Sequence, residues 1–532
     1  MPKLLAKLNK LSITNMIEIA TLPAKVNTSA EISNIEQLKI DHDFYDCEID
    51  KSTGKFKEIH FDRLKLTNKL KSLGFFRYDL PDGAYQYIYI SDNKLKIVQP
   101  YYIRDVFEDY IINMEPLQHE FIIEETPTFI TVTSKMILSK MYKSIKTYFS
   151  PEYLERLRPE KKIIIQEDTE STKYIFFQNS FVEISKSGII SKSYSQLDNY
   201  IFEGSMLRRE FLYTTTKGDF EKFIEKVTGK DTDRKHSLMS LIGYMMHGYF
   251  ETKLIMLLLT DVNKDGTGEA NGGTGKSLIG KAIGKMINAT KDDSRYVELD
   301  GKIFDPANSK KYMNANIDTR LIHINDALKY FPVDRLYNDI TEGITVHKHH
   351  AAPYVVPTKM IMSTNQTLKI DGTSSKRRII FFELHNYYSD KLDPEMDFGK
   401  RFFESGWTVD DWNEFDSFMI RCVSDYLQSG IIKTAEINYS NRALEEHTDI
   451  DFVLWFEWLL KDREVLKMSE INGEYAMSKK NLFKEFITKY SDFDNPKFKQ
   501  KKFTAWVRSF CEKKHINIIE RRCTDDEFVF LK

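Results

Sequence analysis

The sequence predicts a multidomain α/β protein. A central domain is built on a parallel β-sheet, with an α+β region before it and a small, basic helix–helix–hairpin domain after it. Three observations predict this. The chain has 532 residues, which at roughly 150 residues per domain gives three or four domains. Its middle holds short all-apolar runs, Leu254 to Leu259 being the longest, of the kind that strands buried on both faces show. Its last stretch, from Ser478, carries 14 Lys and Arg against 8 Asp and Glu in a chain of net charge −2.

Taken in order, residues 1–55 are polar and show no clear period. The region 56–215 mixes helix and strand signals. FDRLKLTNKLKSLGFF has apolar residues at helical spacing and stops at Gly74, and AYQYIYISDNKLKIV then alternates by twos across Ser91-Asp92-Asn93, which reads as a hairpin. Over 60–98 this fits a small winged-helix-like module or a generic α+β spacer. Further on, Tyr102 to Asn113 reads as a helix, and Lys162 to Gln166, Tyr174 to Phe177 and Phe181 to Ile184 as strands. Asp41-x-Asp43 invites comparison with the paired acids of a polymerase, but no companion His motif follows, and a surface turn is the reading preferred. Residues 216–250 form a helical lead-in of two amphipathic helices around Gly229 to Asp233.

The most informative stretch follows. After the apolar run comes a polar, Gly-rich segment ending in Ala270-Asn271-Gly272-Gly273-Thr274-Gly275-Lys276-Ser277, then LIGKAIGKMI at helical spacing. A strand, a glycine loop and a helix in this order make a phosphate-binding loop. Glycines let backbone N–H groups turn inward, and the helix N-terminus adds partial positive charge. Lys276 is placed on the phosphate oxygens and Ser277 on Mg²⁺. The motif asks for Gly where Ala270 stands; a methyl is tolerable there if φ is negative. Downstream, Arg320 to Ile324 is strand-like and ends in Asn325-Asp326. A carboxylate beside the loop polarises Mg²⁺ and the attacking water, and Asp326 is the candidate. Asn325 stands where a second acid is common, and an amide orients water without accepting its proton. Lys359 to Ser363 is another short strand, running into Thr364-Asn365. The Asn365 side chain can hydrogen-bond both a water and a γ-phosphate oxygen.

This ordering resembles the superfamily 3 helicases, in their phage and poxvirus-type primase-helicase branch. The resemblance covers about residues 218–390. It implies an AAA+-like ATPase domain over 251–400, with ATP and Mg²⁺ as cofactors and five parallel strands: Leu254 to Leu259, Tyr296 to Leu299, Leu321 to Ile324, Lys359 to Ser363 and Ile379 to Phe382. In that family a hairpin with a Lys-His tip enters the channel of a hexamer. Thr345 to Ala351 lies at that place, so Lys348 would meet a DNA phosphate, with His349 and His350 beside it. A surface turn, or a metal site using His347, His349 and His350, are the alternatives. The resemblance also implies an arginine reaching the neighbouring subunit's γ-phosphate: Arg378 before the final strand, or Arg377, with a solvated basic turn as the alternative. The implied partners are single-stranded and forked DNA, five further copies of the chain and host or phage replication proteins. An origin-binding initiator with a weak motor, or a primase-helicase with polymerising chemistry before residue 216, are the rival functions.

Residues 401–450 read as a helical linker. In 451–532 a Ser-capped helix (Lys479 to Tyr490), a second helix (Phe498 to Lys513) and a hairpin make a winged-helix-like pattern. Lys499, Lys502 and Arg508 lie on its basic face and Trp506 at core spacing. The face is read as DNA-binding, or as the solvated side of an assembly module. Cys47, Cys422, Cys511 and Cys523 are too far apart for a zinc ribbon or disulfide framework. No apolar run reaches membrane length, and MPKLLAKLNKLSITNM lacks a signal-peptide core. A cytoplasmic protein without membrane contact is expected, in a bacterial host if phage-encoded.

Overall fold

The computed structural model describes residues 44–531 apart from 51–52, 54, 80–84, 124–125, 160, 251–253, 263–272, 291–292, 349–351, 369, 371–372, 390, 438, 440–441, 443, 445–446, 462–468, 472–473, 515 and 524–525. Asp41, Asp43, Ala270, Asn271, Gly272, His349 and His350 therefore lie outside the described residues. The chain divides into two compact units, ending and beginning at Phe211 and Leu212.

In the first unit a hairpin of β1 (Tyr45–Ile49) and β2 (Phe56–Phe61) leads to helix α1 (Arg63–Ser72). Asp62 starts that helix, its carboxylate accepting from the Lys65 N–H, the N-cap role that Asp favours. An antiparallel meander follows: β3 (Phe75–Asp79), β4 (Tyr85–Ser91) and β5 (Lys94–Val98). Asp92 and Asn93 close its second turn at φ 48° and 61°, the two-residue geometry in which Asn and Asp are least strained by left-handed backbone. Over 60–98, then, one helix is followed by three strands rather than by a hairpin alone, because Phe75–Asp79 pairs with β4. Helix α2 (Pro100–Ile112), hairpin β6 (Leu117–Ile123) and β7 (Thr126–Val132), and helix α3 (Ser134–Lys143) complete an aromatic-rich core around Phe44, Phe75 and Phe107. A separate antiparallel sheet holds β8 (Thr172–Phe176), β9 (Phe181–Ser185) and β10 (Gly188–Lys192), and β11 (Ile201–Phe202) joins β5 in parallel. The strand expected at Lys162 to Gln166 is not formed; Ile165 makes one isolated bridge to Tyr200.

The second unit opens with helices α4 (Asp219–Val227) and α5 (Thr232–Met246). Strand β12 (Met256–Asp261) and helix α6 (Lys276–Ile287) then flank the phosphate loop. Next come β13 (Tyr296–Asp300), β14 (Leu321–Asn325), the small hairpin of β15 (Ile344–Val346) and β16 (Tyr354–Val356), then β17 (Lys359–Ser363) and β18 (Ile379–Leu384). Five strands form one all-parallel sheet in the order β13-β14-β17-β12-β18. Every residue of β12 is buried, as the all-apolar run requires. Helix α6 lies close on the sheet because its glycines face it. A Cβ on Gly280 would stand 2.3 Å from the His323 ring, and one on Gly284 2.8 Å from Tyr296.

Helix α7 (Val409–Ser429) falls within the helical stretch expected over 401–450. It packs along α5 so closely that a Cβ on Gly243 would lie 2.1 Å from the Cys422 carbonyl oxygen. Its Asn413 and Ser417 accept backbone N–H groups of Leu212 and Thr214. Buried Lys359 of β17 ties this helical layer to the sheet, donating to the carbonyls of Tyr244 (2.6 Å) and His247 (2.5 Å) at the end of α5. Carbonyls there have no partner within their own helix.

The C-terminal part holds α8 (Ile450–Lys461), β19 (Ser469–Ile471), β20 (Glu474–Ser478), α9 (Lys479–Lys489), α10 (Gln500–Lys513), β21 (Ile518–Cys523) and β22 (Asp526–Leu531). The expected helix–helix–hairpin order has a second hairpin added to it, β19–β20, which makes a four-stranded antiparallel sheet through β20–β22. Trp506 is buried with Phe452, Trp455 and Phe486. Among the described residues no helix is long and apolar enough to cross a membrane.

Candidate functional site

The site gathers at the carboxyl edge of the parallel sheet, where open α/β sheets bind ligands. Asp261 ends β12, Asn325 ends β14 and Ser363 ends β17, with Asn365 two residues beyond. The described part of the phosphate loop, Gly273 to Ser277, comes down among them. Gly273 and Gly275 sit at φ 93° and 101°, backbone that only glycine adopts cheaply. Gly275 also has no room for a side chain, since a Cβ would stand 2.5 Å from the Phe223 ring of α4. Among the described residues no side chain caps the start of helix α6, and a helix N-terminus carries partial positive charge.

Lys276 is buried and donates to the Asp261 carboxylate and to Asn365 Oδ1 at 2.5 Å. Burial lowers its ammonium pKa, against the pull of Asp261. Asp261 is itself fully buried and also accepts from the Thr274 hydroxyl. Ser277 donates to Asn325 Oδ1 at 2.8 Å, and Ser363 donates to the same oxygen at 2.6 Å. Asn325 Nδ2 donates to Glu298 at 2.8 Å. Since a carboxylate only accepts, Glu298 fixes which end of the amide faces the hydroxyls. Behind Ser363 stands His323, Nε2 3.3 Å from the Ser363 hydroxyl and Nδ1 2.8 Å from the Tyr296 hydroxyl. Full burial pushes the His323 pKa down to about 3, so the ring is neutral, and one continuous hydrogen-bonded chain runs from Tyr296 to Ser277.

It is Asn325, next to the Asp326 read as the Mg²⁺-polarising carboxylate, whose side chain accepts from Ser277. Asp326 lies one residue past the strand at φ 62° and pairs with Lys302 at 2.6 Å. The Asp326 charge still reaches buried Lys276, where it favours the ammonium form. Arg378 is folded onto its own chain, 5.3 Å over the Tyr337 ring and donating to the Ser374 carbonyl, while Arg377 is exposed. Lys348, at the end of the β15–β16 hairpin arm, is exposed and donates to the Met313 carbonyl at 2.7 Å. In the C-terminal part Lys499 and Lys502 are exposed, but Arg508 is forked onto Glu520 at 2.5 and 2.6 Å. Among the described residues no group of three or more His, Cys, Asp or Glu is placed to hold a metal ion.

Two residues of the site escape a reading of motifs. Asp261 had a signal, a lone acid closing an apolar run, which must find a partner once buried. Arg442 had none. It comes from 181 positions downstream to donate to the Asp261 carbonyl, and it also donates to the Asn365 carbonyl at 3.1 Å.

No protein-family model matches the chain, and no curated protein matches it. Among solved structures, it is similar to the C-terminal region of NrS-1 in its apo A form, at 12% identity and a TM-score of 0.39, covering 88% of this chain and 99% of that one. It is also similar to a structure of Drosophila ORC bound to DNA, at 11% identity and a TM-score of 0.17, covering 62% of this chain and 93% of that one. At these scores the likenesses carry no inference.

Proposed function

We propose that this chain binds ATP with Mg²⁺ and hydrolyses it as an AAA+ helicase of the superfamily 3 kind, working on DNA in replication. The observation that carries the reading is the meeting of Lys276, Ser277, Asn325 and Asn365 at one edge of a parallel sheet, beside an uncapped helix N-terminus. Ammonium, hydroxyl and the helix N-terminus form a donor set for a polyphosphate, and the Ser277 and Asn325 oxygens suit a hard cation. When bound there, Mg²⁺ would neutralise charge developing on the transferred phosphoryl group. Lys276 would leave Asp261 for the phosphate oxygens, and Asn365 would orient the attacking water. Asp326 would accept its proton after release from Lys302. Arg378 would act across a subunit boundary of a hexameric ring, and the Lys348 hairpins would grip one DNA strand.

The test is Mg²⁺-dependent ATP turnover with and without single-stranded DNA, followed by unwinding of a forked duplex. Electron micrographs with a non-hydrolysable analogue should show six-fold rings. No turnover in any condition would remove the reading. One observation favours a second function: the group against Ser277 is an amide. A replication initiator that assembles on ATP and turns it over slowly needs no carboxylate there. Rings and DNA binding without unwinding would select it.

A further inference from the structure

The lysine expected to meet phosphate already holds an anion. Its ammonium lies between the Asp261 carboxylate and Asn365 Oδ1, with the Thr274 hydroxyl at 3.5 Å. Asp261 is 0% exposed. The two residues that grip Lys276 are held in turn by one buried guanidinium, since Arg442 takes the main-chain carbonyls of both. Both bonds go to main-chain carbonyls rather than to the Asp261 carboxylate, and among the described residues the buried Nε of Arg442 has no hydrogen-bond partner.

We infer that Asp261 is an internal stand-in for phosphate: it occupies Lys276 in the empty site and sets how tightly nucleotide binds. The inference rests on the nucleotide-binding reading above. A carboxylate oxygen offers the ammonium what a phosphate oxygen offers, a negatively charged acceptor, and does so at no cost in association. A nucleotide must first displace it. Once Lys276 has turned to the phosphates, Asp261 stays buried next to them with the Thr274 hydroxyl as its remaining donor, and like charges at short range in a dry site repel strongly. Both effects oppose binding, and both need the negative charge at position 261. An asparagine there could still accept from Thr274 while contributing neither. Arg442 is the cation left beside the carboxylate when the lysine departs, so the latch can open without stranding a wholly uncompensated charge.

The experiment uses the full chain with Mg²⁺ and a fluorescent non-hydrolysable ATP analogue, reading equilibrium affinity and melting temperature for wild type, Asp261→Asn and Asp261→Glu. Asp261→Asn should bind the analogue at least about tenfold more tightly, as removal of one buried like charge requires. Without nucleotide it should melt below wild type, because Lys276 is left buried without its anion, and it should gain more than wild type when the analogue is added. Asp261→Glu keeps the charge and should keep the weaker affinity. An Asp261→Asn chain that binds no tighter than a wild type that does bind overturns the latch alone. A melting loss that the analogue fails to recover makes Asp261 a purely structural residue and also overturns it. If wild type and both variants all ignore the analogue, the nucleotide-binding reading falls, and this inference falls with it.

Discussion

The Ser277 hydroxyl of the phosphate loop donates to Oδ1 of Asn325 at the end of β14, 2.8 Å away. The same oxygen takes the Ser363 hydroxyl, and the amide's other end is pinned by Glu298. The Ser277 hydroxyl thus meets a neutral acceptor, and the acid next to it in sequence, Asp326, is engaged by Lys302.

Replacing Lys276 by alanine should reduce ATP turnover at least about a hundredfold, because a charge aimed at the transition state is lost. The same change leaves buried Asp261, among the described residues, with the Thr274 hydroxyl as its side-chain donor. Breaking a buried pair from one side costs roughly 3–5 kcal/mol, so chemical denaturation should show a less stable protein. Wild-type turnover in this variant would end the ATPase assignment.

Asn325→Asp tests the amide. The new carboxylate would face Glu298, whose oxygen now lies 2.8 Å from the Asn325 nitrogen, and like charges so placed destabilise. Glu298 is exposed, so the penalty should be about 1 kcal/mol, and Glu298→Gln in the same chain should relieve it. Thermal melts of the four proteins give the coupling directly. The double variant should also hydrolyse ATP faster than wild type, and a slower one would argue that the amide is required.

Gly280→Ala should destabilise the central unit by about 1–3 kcal/mol, the usual cost of overpacking, because its methyl would enter the His323 ring. Adding His323→Ala should make the combined loss smaller than the sum of the two. Simple additivity in urea titrations would mean that helix and ring do not meet.

Acid should loosen the C-terminal sheet in a particular window. The hydrogen bond from Arg508, with Lys479 adding to it, holds the Glu520 carboxyl down to about 2, from 4.5. A folded-state pKa below the unfolded one contributes stability above the unfolded value, and that stability drains away as pH falls toward the folded value. Fluorescence of the buried Trp455 and Trp506 should therefore show wild type more stable than Glu520→Gln at pH 6, with the gap closing between about pH 4.5 and 2.

Lys348→Ala should leave basal ATPase near wild type, while DNA stimulation and unwinding drop together. Removing a cation that meets a DNA phosphate should also flatten the salt dependence of single-strand binding. Unwinding at the wild-type rate would move the DNA grip elsewhere, and the exposed Lys499 and Lys502 are the next place to look.

Much of this site is legible in sequence because its parts are local. Lys276 and Ser277 follow a glycine loop between an apolar run and a helix, and Asn365 follows a run short enough to be only a strand. Which of Asn325 and Asp326 meets Ser277 is not legible, because it depends on where β14 ends: Asn325 is its last residue, and Asp326 lies beyond it at φ 62°. Arg442 could not be read at all, since its role depends on tertiary packing between segments far apart in the chain. Arg508 looked like one more cation on a basic helix until β21 brought Glu520 against it. The first strand of the meander after α1 and the β19–β20 hairpin were missed for a related reason: short strands of three to five residues carry too little periodicity to be told from loop.

The packing of Phe223 on Gly275 has a practical consequence for dissecting the molecule. A fragment starting at the first strand of the parallel sheet would lack the ring that packs against the phosphate loop, and one stopping after β18 would lack the guanidinium behind Asp261 and Asn365. A fragment that keeps both contacts must therefore run at least from the α4 helix through Arg442, well past the borders that motif boundaries would suggest.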